Sequence, residues 1–162
     1  MRITVWVTEG TWPACVDAAR DLIEDHSDTE VTLIHVREEP RSAPSSGVGS
    51  LFGRGTRKRH EEEFQQLSEE AAQTMLAEAK DRLGRDATVR LDTGFPERVV
   101  TEAAGEADYL IIGRDGDRSR LGPKSLGKHT RFVIDHAPCR VLLIWPGEAP
   151  GIGSIPPPPP DR

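Results

Sequence analysis

Apolar positions in this chain gather into short runs, and the stretches between them carry helical spacing. Ile3 to Val7 is β-rich and predicts a first strand. Thr8-Glu9-Gly10-Thr11 follows as a turn. Thr11-Trp12-Pro13 then caps and opens a helix, since proline suits a first helical turn. Ala14, Ala18, Ala19, Leu22 and Ile23 form the apolar stripe of that helix, and Val31 to Val36 is a second strand. A long helix is expected from Glu61, where three consecutive glutamates suit the positive end of the helix dipole. Its core face is Phe64, Leu67, Ala71, Met75, Ala79 and Leu83. Thr88 to Leu91 reads as a short strand at a sheet edge. Gly94-Phe95-Pro96 starts a helix through Val99, Val100, Ala103 and Ala104, and Asp108 to Ile112 returns to the sheet. A last helix carries Phe132, Val133 and Ile134 and is closed by Pro138, before the buried strand Val141 to Trp145.

Strands alternating with helices predict an α/β fold: a doubly wound, open, parallel five-stranded sheet in the order 3-2-1-4-5. Connections long enough for right-handed crossovers support the parallel pairing. Two stretches break the pattern. Between the second strand and the long helix, Pro, Ser and Gly predominate, and residues 41–60 read as a flexible insertion too polar to offset its ordering entropy. Residues 147–162 include five consecutive prolines from Pro156 and read as a disordered tail, a spacer or a peptide for a protein partner. One domain over residues 1–146 remains.

Composition narrows the class. A chain of 162 residues suits one core, burying roughly 70% of its unfolded surface. A net charge of −6 argues against non-specific nucleic-acid binding, which needs a basic face. Cys15 and Cys139 have no metal-site spacing and fit small buried positions in a reducing compartment. No apolar run approaches the ~18 residues of a membrane span, so a cytoplasmic location is expected.

Candidate chemistry lies between the fourth and fifth strands. Gly113-Arg114-Asp115-Gly116 breaks the apolar run, and Gly127-Lys128-His129-Thr130 leads into the last helix. Glycines at 113 and 116 are expected to turn with positive φ and let a ligand approach the backbone. Amides at the helix start favour negative charge, by roughly 0.3–1 kcal/mol per charge. Arg118, Arg120, Lys124 and Lys128 add positive charge. Such a cradle suits phosphate, although glycine-rich strand-to-helix loops are also common without a ligand.

Taken together, Gly113-x2-Gly116, ten loop residues, Gly127 and Phe132 to Ile144 resemble the signature end of the universal stress protein family. The resemblance continues through Asp108 to Ile112, Gly94-Phe95-Pro96, Leu33 to Val36 and the first strand with its turn. It implies a Rossmann-like three-layer sandwich of the adenine nucleotide alpha hydrolase type. It also implies a cofactor-binding set of Val7, Thr8, Glu9, Val36, Ile112, Gly113, Arg114, Asp115, Gly116, Gly127, Lys128, His129 and Thr130. Val7, Thr8 and Glu9 would line the adenine pocket, and Val36 would contribute through its backbone. Glu9 either accepts from the exocyclic amine or is a solvated turn carboxylate. The family's binders have nine loop residues and a hydroxyl residue after the third glycine, whereas this chain has ten, followed by Lys128. Lys128 either stands in as a point charge on phosphate or marks a degenerate site.

The function these readings imply is a stress-response protein binding an adenine nucleotide, ATP foremost, as a signal or slowly hydrolysed switch. No general base, nucleophile or metal cluster is evident, so efficient turnover is not expected. Mg²⁺ would enter only through the phosphates, with Asp115 and Asp117 either holding it or forming a solvated pair. The alternative is an interaction module of the same family acting through the proline tail. Strand 141–145 would be an apolar edge in a monomer, and the resemblance implies a homodimer through it.

Overall fold

The computed structural model describes residues 1–39 and 54–161, with side chains from residue 59 onward in the second of these segments. In chain order the elements are β1 (Arg2–Trp6), α1 (Trp12–Ile23), β2 (Glu30–Glu38), α2 (Arg54–Leu83), β3 (Thr88–Gly94), α3 (Pro96–Ala104), β4 (Tyr109–Gly113), α4 (Lys128–His136) and β5 (Arg140–Ile144). The strands form one sheet in the order β3-β2-β1-β4-β5, and every neighbouring pair is parallel. The predicted topology is the observed one.

The sheet is central because its inner strands are apolar on both faces. On one face Ile3, Val5, Val7, Leu33 and Ile111 pack against Cys15, Val16, Ala19 and Ile23 of α1 and Met75, Leu76, Ala79 and Leu83 of α2. On the other, Trp6, Ile34, Val36, Leu110 and Ile112 pack against Val100 and Ala104 of α3 and Val133 of α4. Cys15 is fully buried, and loss of hydration pushes its thiol up to about 12, so it behaves as a small hydrophobe. Cys139 is raised by its partial burial. Among the described residues no helix is long and apolar enough to cross a membrane.

Four expectations change. Helix α2 begins at Arg54, so residues 54–60 of the expected insertion are helical, while 41–53 lie outside the described residues. Its buried side chains are Ala72, Met75, Leu76, Ala79 and Leu83, whereas Phe64, Leu67 and Ala71 are exposed. Length explains this. A helix of 30 residues runs roughly 45 Å, about twice the span of a seven-residue strand, so its first half extends past the sheet. Arg37, at the end of β2, holds that overhang by donating to the Gln65 carbonyl at 2.7 Å.

Thr11 does occupy the N-cap of α1, with Pro13 in the first turn, but its hydroxyl makes no capping bond. It lies 2.6 Å from the Thr8 hydroxyl instead. The tail also departs from disorder. A turn of 3₁₀ helix forms at Ile152–Ser154, where the Ser154 hydroxyl accepts from the Leu121 amide at 3.0 Å and donates to the Gly151 carbonyl at 2.7 Å. That hydroxyl satisfies a loop amide that the sheet does not reach.

Candidate functional site

At its carboxyl end the sheet forks. The pairing of β1 with β2 ends at Trp6↔Ile34, followed by a bond from the Val7 amide to the Ile34 carbonyl at 2.8 Å. Strand β2 continues for four residues more, still paired to β3 through Glu38↔Gly94. Backbone groups alternate sides along a strand, so the N–H and C=O of Val36 face the same way as those of Ile34, toward the space past the end of β1. Among the described residues neither has a partner there. The acceptor that would continue the ladder is the Val7 carbonyl, and His35 Nδ1 lies 2.7 Å from it. A carbonyl oxygen only accepts, so this nitrogen carries the proton.

Across the fork stands the end of β4. Gly113 and Gly116 are needed for space and not for left-handed backbone: among the described residues the positive-φ glycines are Gly10, Gly84, Gly94 and Gly122. A Cβ on Gly113 would lie 2.5 Å from Cβ of Thr11. One on Gly116 would overlap the Lys124 carbonyl oxygen and approach the carbonyl carbon of Ser125 to 2.8 Å. That close approach lets the loop pinch shut, with the Gly116 amide on the Ser125 carbonyl at 2.9 Å and the Asp117 amide on the Lys124 carbonyl at 2.8 Å. Arg114 turns away from the fork. It donates to the buried Ser125 hydroxyl at 2.6 Å, and its guanidinium lies 4.6 Å from the centre of the Trp145 ring.

The start of α4 closes the third side. Gly127 is its N-cap, and Arg131 is the first residue to bond back, to the Gly127 carbonyl at 3.0 Å. The amides of Lys128, His129 and Thr130 make no hydrogen bond among the described residues, as the first turn of any helix dictates. The Gly127 amide is occupied: Asp115 Oδ1 accepts from it at 2.7 Å. His129 bridges two acids, with Nε2 2.9 Å from Glu38 and Nδ1 2.8 Å from Glu97, the latter without hydrogen-bond alignment. Lys128 is exposed and Thr130 buried.

Of the other expected residues, Val7 and Ile112 are fully buried, one on each face of the sheet, so only main-chain atoms could meet a ligand. Both backbone groups of Val7 are already taken. Thr8 is half-buried and Glu9 exposed. The sequence reading missed the residues that join these parts. Thr11 packs on Gly113, Arg118 donates to the Gly10 carbonyl at 3.0 Å across the mouth, and Glu38 meets His129. Each contact spans more than 90 positions, and no local pattern announces it. His35 is a polar residue in an apolar run, and that was the one signal that could have found it. Asp117, exposed on the loop, is held below the usual carboxylate range by the hydroxyl and amide of Ser119. Among the described residues no three His, Cys, Asp or Glu side chains are grouped to hold a metal ion. A cavity of about 480 Å³ lies at the opposite end of the sheet, between Arg2, Thr32, Arg90 and Glu102.

The universal stress protein family model matches residues 2–144, from β1 through the last strand. This chain belongs to that family. Solved structures share its fold. A hypothetical protein whose biochemical function was assigned from its structure superposes with a TM-score of 0.65 at 21% identity, over 91% of this chain and 97% of its own. A universal stress protein in complex with cAMP gives 0.59 at 20%, over 91% and 98%. The universal stress protein from Archaeoglobus fulgidus in complex with dAMP gives 0.53 at 17%, over 88% and 96%. A search of the curated proteins found no match. In this universal stress protein, the fork offers one main-chain donor and one acceptor at Val36 and further donors at α4, with the Asp115 carboxylate lying among the latter.

Proposed function

We propose that this universal stress protein binds an adenine nucleotide in the fork between β1 and β2, facing the end of β4, with ATP as the ligand that uses both of its ends. The observation that carries the reading is the pair of unpartnered main-chain sets. The C=O and N–H of Val36 complement the one donor and one acceptor on the N6/N1 edge of adenine. The amides of Lys128, His129 and Thr130, backed by the dipole of α4, suit phosphoryl oxygens. The complexes of two fold relatives with cAMP and dAMP support an adenine ligand. A bound nucleotide would supply a labile phosphoanhydride, and with it a signal or slow switch, Mg²⁺ arriving with the phosphates. The chain's own residues hold and orient. Thr8 and Glu9 border the base, Lys128 adds a point charge beside the phosphates, and Arg118 straps the loop to Gly10.

The donor set fits in part, because Asp115 already sits on the Gly127 amide. That contact is what favours the second reading, an interaction module that has dispensed with nucleotide. Equilibrium binding of labelled ATP to the wild type and to Asp115→Ala, in EDTA, separates the two. Removing a carboxylate from the anion-binding turn should tighten ATP by about two- to fivefold, the equivalent of roughly 0.3–1 kcal/mol. No binding to either protein at millimolar nucleotide, with both folded, selects the interaction module.

Among the described residues strand β5 leaves its outer edge unpaired, and Leu142 on it is 37% exposed. A second copy of the chain pairing along β5 would cover that edge. Sedimentation over a concentration series reads this out, and a monomer throughout discards it.

A further inference from the structure

Two neighbouring strands of a parallel sheet normally stop pairing where one of them ends. Here β1 stops pairing one bond earlier than its backbone requires. The Val7 amide completes its bond to Ile34, and the next bond in the series would run from the Val36 amide to the Val7 carbonyl. That bond is not formed among the described residues. The Val7 carbonyl is instead engaged by the imidazole of His35, Nδ1 to oxygen 2.7 Å, from a half-buried side chain.

We infer that His35 is a positioning residue: by occupying the Val7 carbonyl it holds the fork between β1 and β2 open and keeps the Val36 N–H and C=O available for the edge of a purine base. The inference rests on the nucleotide reading above for its ligand, but the fork itself does not depend on it. The geometry also explains why a donor is required at 35. An apolar residue of similar size would leave the Val7 carbonyl without a partner, and the nearest main-chain donor in ladder register is the Val36 amide. Pairing those two extends the ladder by one step and removes the donor that the base needs. Asn, whose side-chain amide reaches about as far as Nδ1 and also donates, should keep the fork open.

The test uses the full chain with His35→Leu and His35→Asn, Leu retaining the packing volume and Asn the donor. Residue-resolved amide hydrogen exchange, without nucleotide, is the first readout. In the wild type and in His35→Asn the Val36 amide should exchange much faster than that of Ile34, whereas in His35→Leu it should slow by at least about tenfold, as a newly formed hydrogen bond requires. The second readout is affinity for AMP and ATP. His35→Leu should lose about tenfold or more, on the order of the loss of one or two base hydrogen bonds. His35→Asn should stay within about threefold of wild type by the same scale. A Val36 amide exchanging as fast in His35→Leu as in wild type overturns the inference. So does a Val36 amide already protected in the wild type. If exchange changes as expected while no variant binds nucleotide, the positioning role of His35 stands and the base-site reading falls.

Discussion

Replacing Gly116 by alanine should open the loop between β4 and α4 and cost about 1–3 kcal/mol, the usual range for forcing extra atoms into a packed site. The cost follows from where the new methyl would go. It would overlap the carbonyl oxygen of Lys124 and approach the carbonyl carbon of Ser125 to 2.8 Å, and both are main chain, which cannot swing aside as a side-chain tip can. Relief requires the two loop strands to separate, which breaks the bonds from the Gly116 and Asp117 amides to Ser125 and Lys124. Ser125, fully buried, would then lose its place under Arg114, and the register of α4 behind it would drift. Urea unfolding should show the lower midpoint with an unchanged slope. Labelled ATP binding should fall by more than tenfold if the start of α4 receives the phosphates. A variant as stable as wild type would mean that the loop relaxes freely and the pinch has no structural role.

The largest single loss is expected from Ile111→Ala, about 2–5 kcal/mol. Ile111 is fully buried in the middle of β4, in register with Val5 of β1 on one side and Leu142 of β5 on the other. Its side chain belongs to the core shared with α1 and α2. Truncation removes three carbons from a place walled by backbone ladders, which collapse less readily than a helix face. Against a typical total of roughly 5–15 kcal/mol, such a loss brings the domain close to its unfolding threshold. Thermal and urea unfolding check it. A change below about 1 kcal/mol would show that this core tolerates a cavity at its centre and that the layers are less tightly coupled than their burial indicates.

What was legible in advance depended on the range of the physics involved. The order β3-β2-β1-β4-β5 could be read because continuous apolar runs such as Ile3 to Val7 and Tyr109 to Ile112 demand burial on both faces, and the helices between them allow only parallel crossovers. The glycine loop and the start of α4 were legible for a similar reason: small residues and helix starts are local signals. Their purpose was only half legible. Gly113 and Gly116 were expected to supply left-handed turns, but they make room for Thr11 and for the Lys124–Ser125 backbone, partners that no nearby residue identifies. The apolar stripe of α2 was right at Met75, Ala79 and Leu83, but it took Ala71 for Ala72 and extended too far toward Phe64. Its period can be read from the chain, but the point where the sheet stops beneath it cannot.

The amino-acid sequence by itself determined the layers and the strand order, which follow from propensity and periodicity along the chain, and the family, through the likeness of its motifs. Only the tertiary structure decided which main-chain groups are left without partners. Among the described residues the Val36 main chain has no partner toward β1, because β1 ends beside it and His35 takes the Val7 carbonyl, and the Gly127 amide is engaged because Asp115 folds back onto it. Hydrogen bonding is a property of pairs, and here the members of the pairs come from separate elements, brought within reach only when the sheet assembles.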